Sequence, residues 1–221
     1  MIRIADASFG YGSAGFRLRI PSLVVESGER VAVVGPSGSG KTTLLNLIAG
    51  ITAPESGTVE VDGVNVGAQS DAARRAYRAR TIGFVFQNFA LMDYLSGLEN
   101  ILYPYRVAPS LTLNRAARDR ARALADACGI GEKIRRKPAA LSQGEQQRVA
   151  ICRALVTEPK LILADEATGN LDPAAKASII DVLFARAEEA GSTVLAVTHD
   201  HELLPRFDRV IDFADFRASA E

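Results

Sequence analysis

The chain has 221 residues, of which 48% are hydrophobic and 24% charged, with 26 Lys and Arg against 26 Asp and Glu. At roughly 150 residues per domain this is one or two domains with enough apolar material for a sizeable core, which excludes disorder as a description of the whole chain. A net charge of zero excludes polyanion binding by bulk charge, and two cysteines, Cys128 and Cys152, make neither a disulfide framework nor a zinc site.

The N-terminus lacks the basic-then-apolar pattern of a signal peptide, and no window approaches the ~18 uninterrupted apolar residues of a membrane helix. Residues 2–9 and 16–25 alternate apolar and polar side chains, as strands of an antiparallel sheet with one wet face do. Arg30–Val34 is a continuous apolar run, the mark of a buried strand. The spacing predicts a helix over 42–49, stopped by Gly50. Residues 58–61 run into the turn Asp62-Gly63, and 81–86 form a further strand. The stretch from about Gln87 to about Arg136 has no strand pattern, so helices are expected there, with one over 114–128. Helices over 144–157 and 173–190 follow, the latter with Asp172 as N-cap and Pro173 at its first position. Short β-rich runs at 161–164 and Thr193–Val197 suit parallel strands, and 209–213 suits a last one. Strand–helix alternation in the first and last thirds predicts an α/β parallel core with a helical insertion.

Gly35-Pro36-Ser37-Gly38-Ser39-Gly40-Lys41-Thr42 fits G-x-x-x-x-G-K-[ST] between a buried strand and a helix. Glycines let consecutive N–H groups turn toward phosphate oxygens, and the helix start adds positive potential. Lys41 supplies a full charge for the β- and γ-phosphates, and the Thr42 hydroxyl can ligate Mg²⁺. Residues 161–164 lead into Asp165 and Glu166. Carboxylates at the C-terminal end of a parallel strand face the ligand crevice, so Asp165 suits a metal shell and Glu166 suits water activation.

Leu141-Ser142-Gln143-Gly144-Glu145-Gln146-Gln147-Arg148 opens a helix just before those acids and resembles the LSGGQ signature of ABC-transporter ATP-binding subunits. Tyr11, the phosphate loop, Gln87, the signature, the paired acids, Leu171-Asp172 and His199 stand in the family's order. The resemblance implies a P-loop (RecA-like) parallel-sheet core with an N-terminal antiparallel β subdomain and an inserted α-helical subdomain. It implies one domain over 1–221, with 1–86 and 158–221 as the catalytic core and about 87–157 as the helical signature part. ATP and Mg²⁺ are the implied ligands. Tyr11 would stack on adenine. Gly35, Ser37, Gly38, Ser39, Gly40, Lys41, Thr42 and Thr43 would hold the phosphates. Thr42, Gln87 and Asp165 would serve the metal. Glu166, His199, Gln87 and Lys41 would serve hydrolysis. Ser142 and Gly144 would bind the γ-phosphate held by an opposite subunit, and Asp172 would meet that subunit's phosphate loop. The implied partner is therefore a second copy in a head-to-tail ATP sandwich. Taken alone, Tyr11 also reads as an edge-strand aromatic, Gln87 as a turn residue and His199 as a strand-end histidine.

The chain departs from the family at Gln143, where the signature has glycine, at Glu145, where it has glutamine, and at Ala167, where proline is usual. The runs Phe84-Val85-Phe86-Gln87-Asn88-Phe89 and Ala164-Asp165-Glu166-Ala167-Thr168-Gly169-Asn170-Leu171-Asp172 resemble the branch that holds the lipoprotein-releasing LolD, macrolide-exporting MacB and division-linked FtsE ATPases. That branch implies a membrane permease subunit docked on the stretch that starts at Gln87 and ends at Leu95, and a place on the cytoplasmic face of the inner membrane. The expected function is ATP hydrolysis that drives dimer closure and conformational work in that subunit. The alternative is a regulatory or scaffold ATPase with little turnover. No nucleic-acid partner is expected, and the basic cluster from Lys133 to Lys137 reads as a solvated loop.

Overall fold

In the computed structural model, residues 1–11, 16–168, 171 and 173–216 are described. β1 (Ile2–Gly10) pairs antiparallel with β2 (Arg17–Val25) and with β4 (Ser56–Val61), and β5 (Val64–Asn65) completes a four-stranded sheet of order β2-β1-β4-β5. β3 (Arg30–Val34), β6 (Ile82–Val85), β7 (Leu161–Asp165), β8 (Thr193–Val197) and β9 (Arg209–Asp212) form a parallel sheet of order β6-β7-β8-β3-β9.

The central parallel strands are apolar apart from Arg30, Asp165 and Thr193 at their ends because both faces are covered, and the period of two sorts their side chains. Val31, Val33, Leu161, Leu163, Leu195 and Val197 join the core shared with the antiparallel sheet and with α1 (Lys41–Ile48). Ala32, Ile162, Ala164, Val194 and Ala196 face the other way, onto α7 (Pro173–Glu189) through Ile179, Ile180, Leu183 and Ala187. A third core joins α3 (Gly97–Ile101), α5 (Arg115–Ala127) and α6 (Gln143–Leu155), with Ile101, Ala121, Ala125, Val149 and Cys152. α4 (Tyr103–Val107) lies beside it, its Tyr105 hydroxyl donating to the Val156 carbonyl at 2.9 Å.

The expected strands and the four expected helices are present, with ends that differ by at most two residues. α2 (Asp71–Thr81) is an element that the apolar pattern does not announce. Thr81 alone of its residues is buried, so it carries no broad apolar stripe. It is held by polar groups. Ser70 caps it, Arg78 donates to the Ala49 and Gly50 carbonyls, and the Tyr77 hydroxyl donates to Val61 O at 2.5 Å. Burial pushes the Tyr77 phenol up to about 12.

Candidate functional site

The site begins where β3 ends. Gly35 has φ +152, and a Cβ there would lie 3.0 Å from Phe213 Cβ. Gly38 and Gly40 are left-handed at +74 and +108, which only glycine adopts without strain. Gly40 is the N-cap of α1 and offers no side-chain cap, so the first N–H groups of this helix have no acceptor within it. That leaves them to a ligand. Lys41 is buried, and its Nζ donates to the Gly35 and Pro36 carbonyls, both at 2.8 Å. Ser39 Oγ is buried beside them and has no hydrogen-bond partner among the described residues.

β7 brings the acids to this loop. Thr42 Oγ1 donates to Asp165 Oδ2 at 3.0 Å across 123 residues of sequence. Burial raises the Asp165 carboxyl above the usual range; the neighbouring Glu166 charge adds to this, while Thr42 and Lys41 oppose it. Glu166 adopts φ +46, and its N–H donates to Val197 O at 3.0 Å, which anchors the turn to β8. Its Oε1 lies 3.3 Å from His199 Nδ1, a neighbour brought by the chain leaving β8. Ala167, where the family has proline, is buried in the core under α7.

A cleft of about 590 Å³ joins these parts. Ser37, Gly38, Gly40, Lys41, Thr42, Thr43, Gln87, Asp165 and Glu166 line it. Tyr11 stands at its rim, half-exposed, in edge contact with Phe9 at 4.8 Å between ring centroids. The sequence reading did not single out Phe16 or Val197, which line the same cleft. The Phe16 ring closes on the loop so tightly that a Cβ on Gly40 would come within 2.5 Å of it. An aromatic one hairpin away from Tyr11 was the available signal, and Tyr11 N does donate to Phe16 O at 3.1 Å.

Ser142 and Gly144 do not line this cleft. Ser142 caps α6 in a reciprocal box: its Oγ accepts from Glu145 N at 3.3 Å, and Glu145 Oε2 accepts from Ser142 N at 2.9 Å. Lys133 Nζ binds Glu145 Oε1 at 2.5 Å, so Lys133 is not merely a solvated cation of its basic cluster. The Lys133 ammonium and the Ser142 N–H hold the Glu145 carboxyl below the usual range. The side chain at Gln143 is exposed, and a Cβ on Gly144 would meet nothing within 4 Å, so the start of α6 faces open space. Asp172 lies outside the described residues.

The ABC transporter family profile matches residues 18–169. The chain is 45% identical over 204 residues to the lipoprotein-releasing system ATP-binding protein LolD of Ruegeria pomeroyi, covering 92% of this chain and 89% of that one. It is 43% identical over 198 residues to the macrolide export ATP-binding/permease protein MacB of Syntrophobacter fumaroxidans, covering 90% of this chain and 28% of that longer one. Among solved structures, a dimeric ATP-binding cassette in a post-hydrolysis state, bound to ADP and Pi, superposes with a TM-score of 0.85 at 34% identity, covering 96% of this chain and 94% of its own.

Proposed function

This chain belongs to the ABC transporter family as an ATP-binding subunit of the LolD and MacB branch, and from that premise we propose that two copies close on shared ATP and thereby move a separate membrane subunit. It is an ATPase, converting ATP and water to ADP and phosphate. The observation that carries the finer reading is the split site. One cleft gathers the phosphate loop, Asp165 and Glu166, whereas the signature residues of the same chain open elsewhere. A second copy, head to tail, supplies the missing half.

In this reading Tyr11 and Phe16 wall the adenine. Lys41 exchanges the carbonyls of Gly35 and Pro36 for β- and γ-phosphate oxygens, and Gly35, Ser37, Gly38, Ser39, Gly40 and Thr43 complete the cradle. The Thr42 hydroxyl and the Asp165 carboxylate, 3.0 Å apart, with Gln87 lining the same cleft, are hard oxygen donors that fit Mg²⁺. That ion, when bound, neutralises charge on the phosphates. Glu166 orients and polarises the attacking water. His199 Nδ1 turns toward Glu166, which leaves Nε2 for the terminal phosphate. Ser142, Gly144 and Asp172 act on the ATP of the opposite copy.

The membrane subunit has a groove of about 640 Å³ available between α2, the end of β6 and α4. Ala72, Ala76, Ala79, Phe84, Phe86 and Val107 line it, and the Phe84 and Phe86 rings stack at 4.3 Å. Within 87–95, Phe89 is buried and Leu91 and Leu95 are half-buried, while Gln87 and Tyr94 are exposed, so that stretch and the groove beside it together form the seat. No described helix is long and apolar enough to cross a membrane. In this reading the subunit sits on the cytoplasmic face of the inner membrane through its partner, in lipoprotein release or export, as the names of its LolD and MacB relatives suggest.

Light scattering on Glu166→Gln protein tests the dimer. Mg·ATP converts monomer to dimer, and ADP does not. A monomer with ATP demonstrably bound would refute the sandwich for the isolated subunit.

A further inference from the structure

Arg153, on α6, is the one arginine in the buried class among the described residues. No carboxylate among the described residues lies within ion-pair distance of it. Burial lowers its pKa to about 10, so it remains charged at neutral pH. An unpaired buried cation is costly unless strong acceptors face it. Here Nη1 donates to Ala90 O at 2.5 Å and Nη2 to Phe89 O at 2.6 Å.

Those acceptors are unusual. Phe89 and Ala90 are consecutive non-glycine residues with φ +60 and +47. Each pays strain for the left-handed region, and such strain persists only where the surroundings over-determine it. The guanidinium supplies that constraint at one end of the loop. Asn100 supplies it at the other, accepting from Met92 N at 2.7 Å and donating to the Met92, Leu95 and Ser96 carbonyls. The clamped loop begins at Gln87, in the nucleotide cleft. The same Arg153 side chain also lines the apolar groove, next to Phe84, Phe86 and Ala154.

We propose that Arg153 is a positioning residue: by holding the Phe89 and Ala90 carbonyls it sets the place of Gln87 at the edge of the nucleotide cleft. This rests on the reading of Gln87 given above, and deepens it. A shift of the guanidinium by the length of one hydrogen bond frees two left-handed residues to relax.

The test is steady-state hydrolysis by the full chain. Arg153→Met lowers kcat at least tenfold with KM for ATP within twofold, because the phosphate loop is untouched. Arg153→Lys, which keeps a donor and the charge, restores at least part of the loss. Gln87→Ala with Arg153→Met together lose no more than Gln87→Ala alone. Ala90→Pro covers the case in which Arg153→Met does not fold: proline cannot take φ +47, so the carbonyl moves off the guanidinium while every side chain of α6 is kept. It reproduces the kcat loss. Unchanged kcat in Arg153→Met and Ala90→Pro, with Gln87→Ala still impaired, overturns the inference and leaves the Gln87 reading standing. Unchanged kcat in Gln87→Ala overturns both. Additive losses, or a KM rise as large as the kcat fall, make Arg153 a structural residue and overturn it as well.

Discussion

Two helices of this chain begin beside glycines in a signature motif, and they begin differently. α1 opens at Gly40, left-handed and with no side-chain cap, under a lysine. α6 opens at Ser142, whose cap is complete: hydroxyl to Glu145 N, Glu145 back to Ser142 N, and Lys133 on the free carboxylate oxygen. Every helix start attracts anions through its unpaired N–H groups. The start of α1 leaves those groups to a ligand, with Lys41 held beside them by the Gly35 and Pro36 carbonyls. The start of α6 already satisfies part of itself and carries a negative residue in its first turn. A phosphate reaching it must compete with Glu145. The sandwich proposed above uses this difference: one chain holds nucleotide on α1, and the α6 start engages phosphate brought by a second copy.

The largest expected effects fall on the α1 side. Glu166→Gln leaves ATP affinity in place and lowers turnover about 10²- to 10⁴-fold, the span of a lost general base, as a phosphate-release assay reads. Gly40→Ala costs about 2–4 kcal/mol in denaturant unfolding, since φ +108 and the Phe16 contact at 2.5 Å both resist a Cβ. If it unfolds like the wild type, the loop is looser than described. On the α6 side effects shrink. Ser142→Ala removes a cap worth about 1 kcal/mol and leaves nucleotide binding by the monomer unchanged, while Mg·ATP no longer dimerises the Glu166→Gln protein. Loss of monomer affinity would place Ser142 on its own chain's nucleotide and break the comparison. Glu145→Gln sharpens it: stability falls by about 0.5 kcal/mol with the Lys133 pair, and the ATP-driven dimer tightens because a charge leaves the phosphate's approach.

Asp165 is shifted in the opposite direction from Glu145 and Asp208. Asp165 is raised by burial, so it takes up a proton at a pH above the usual carboxylate value. Mg²⁺ dependence of nucleotide binding therefore weakens early as pH falls. Glu145 is lowered by Lys133, and Asp208 is lowered by the Arg30 guanidinium, which binds it at 2.7 Å. Groups depressed in the fold add stability above their unfolded values, and that stability is lost as pH falls through the folded ones. Acid unfolding followed by circular dichroism thus begins below the pH at which Mg²⁺ dependence is lost. The reverse order would contradict the burial of Asp165.

Much of this was legible in the residues. Arg30–Val34 and Thr193–Val197 read as buried strands because continuous apolar runs bounded by turns have few other uses, and they are buried strands. The apolar spacing over 114–128 is α5, with Asn114 as its cap rather than its first helical residue. α2 escaped because its contacts are made by Arg78 and Tyr77 reaching back to carbonyls, a pattern with no sequence period. Phe16 escaped because its mark was its place across the hairpin from Tyr11, and nothing in its own segment says that it closes over a phosphate loop.

By itself the sequence determined the elements, the order of the motifs and the chemistry of the phosphate loop. Those properties depend on neighbours within a turn or two, where propensity and glycine conformation act directly. Only the tertiary structure decided that Thr42 meets Asp165 across 123 residues, and that Arg153 reaches the carbonyls of Phe89 and Ala90. Such meetings depend on strand order and on which faces pack, and both are set when the separate apolar surfaces are buried together.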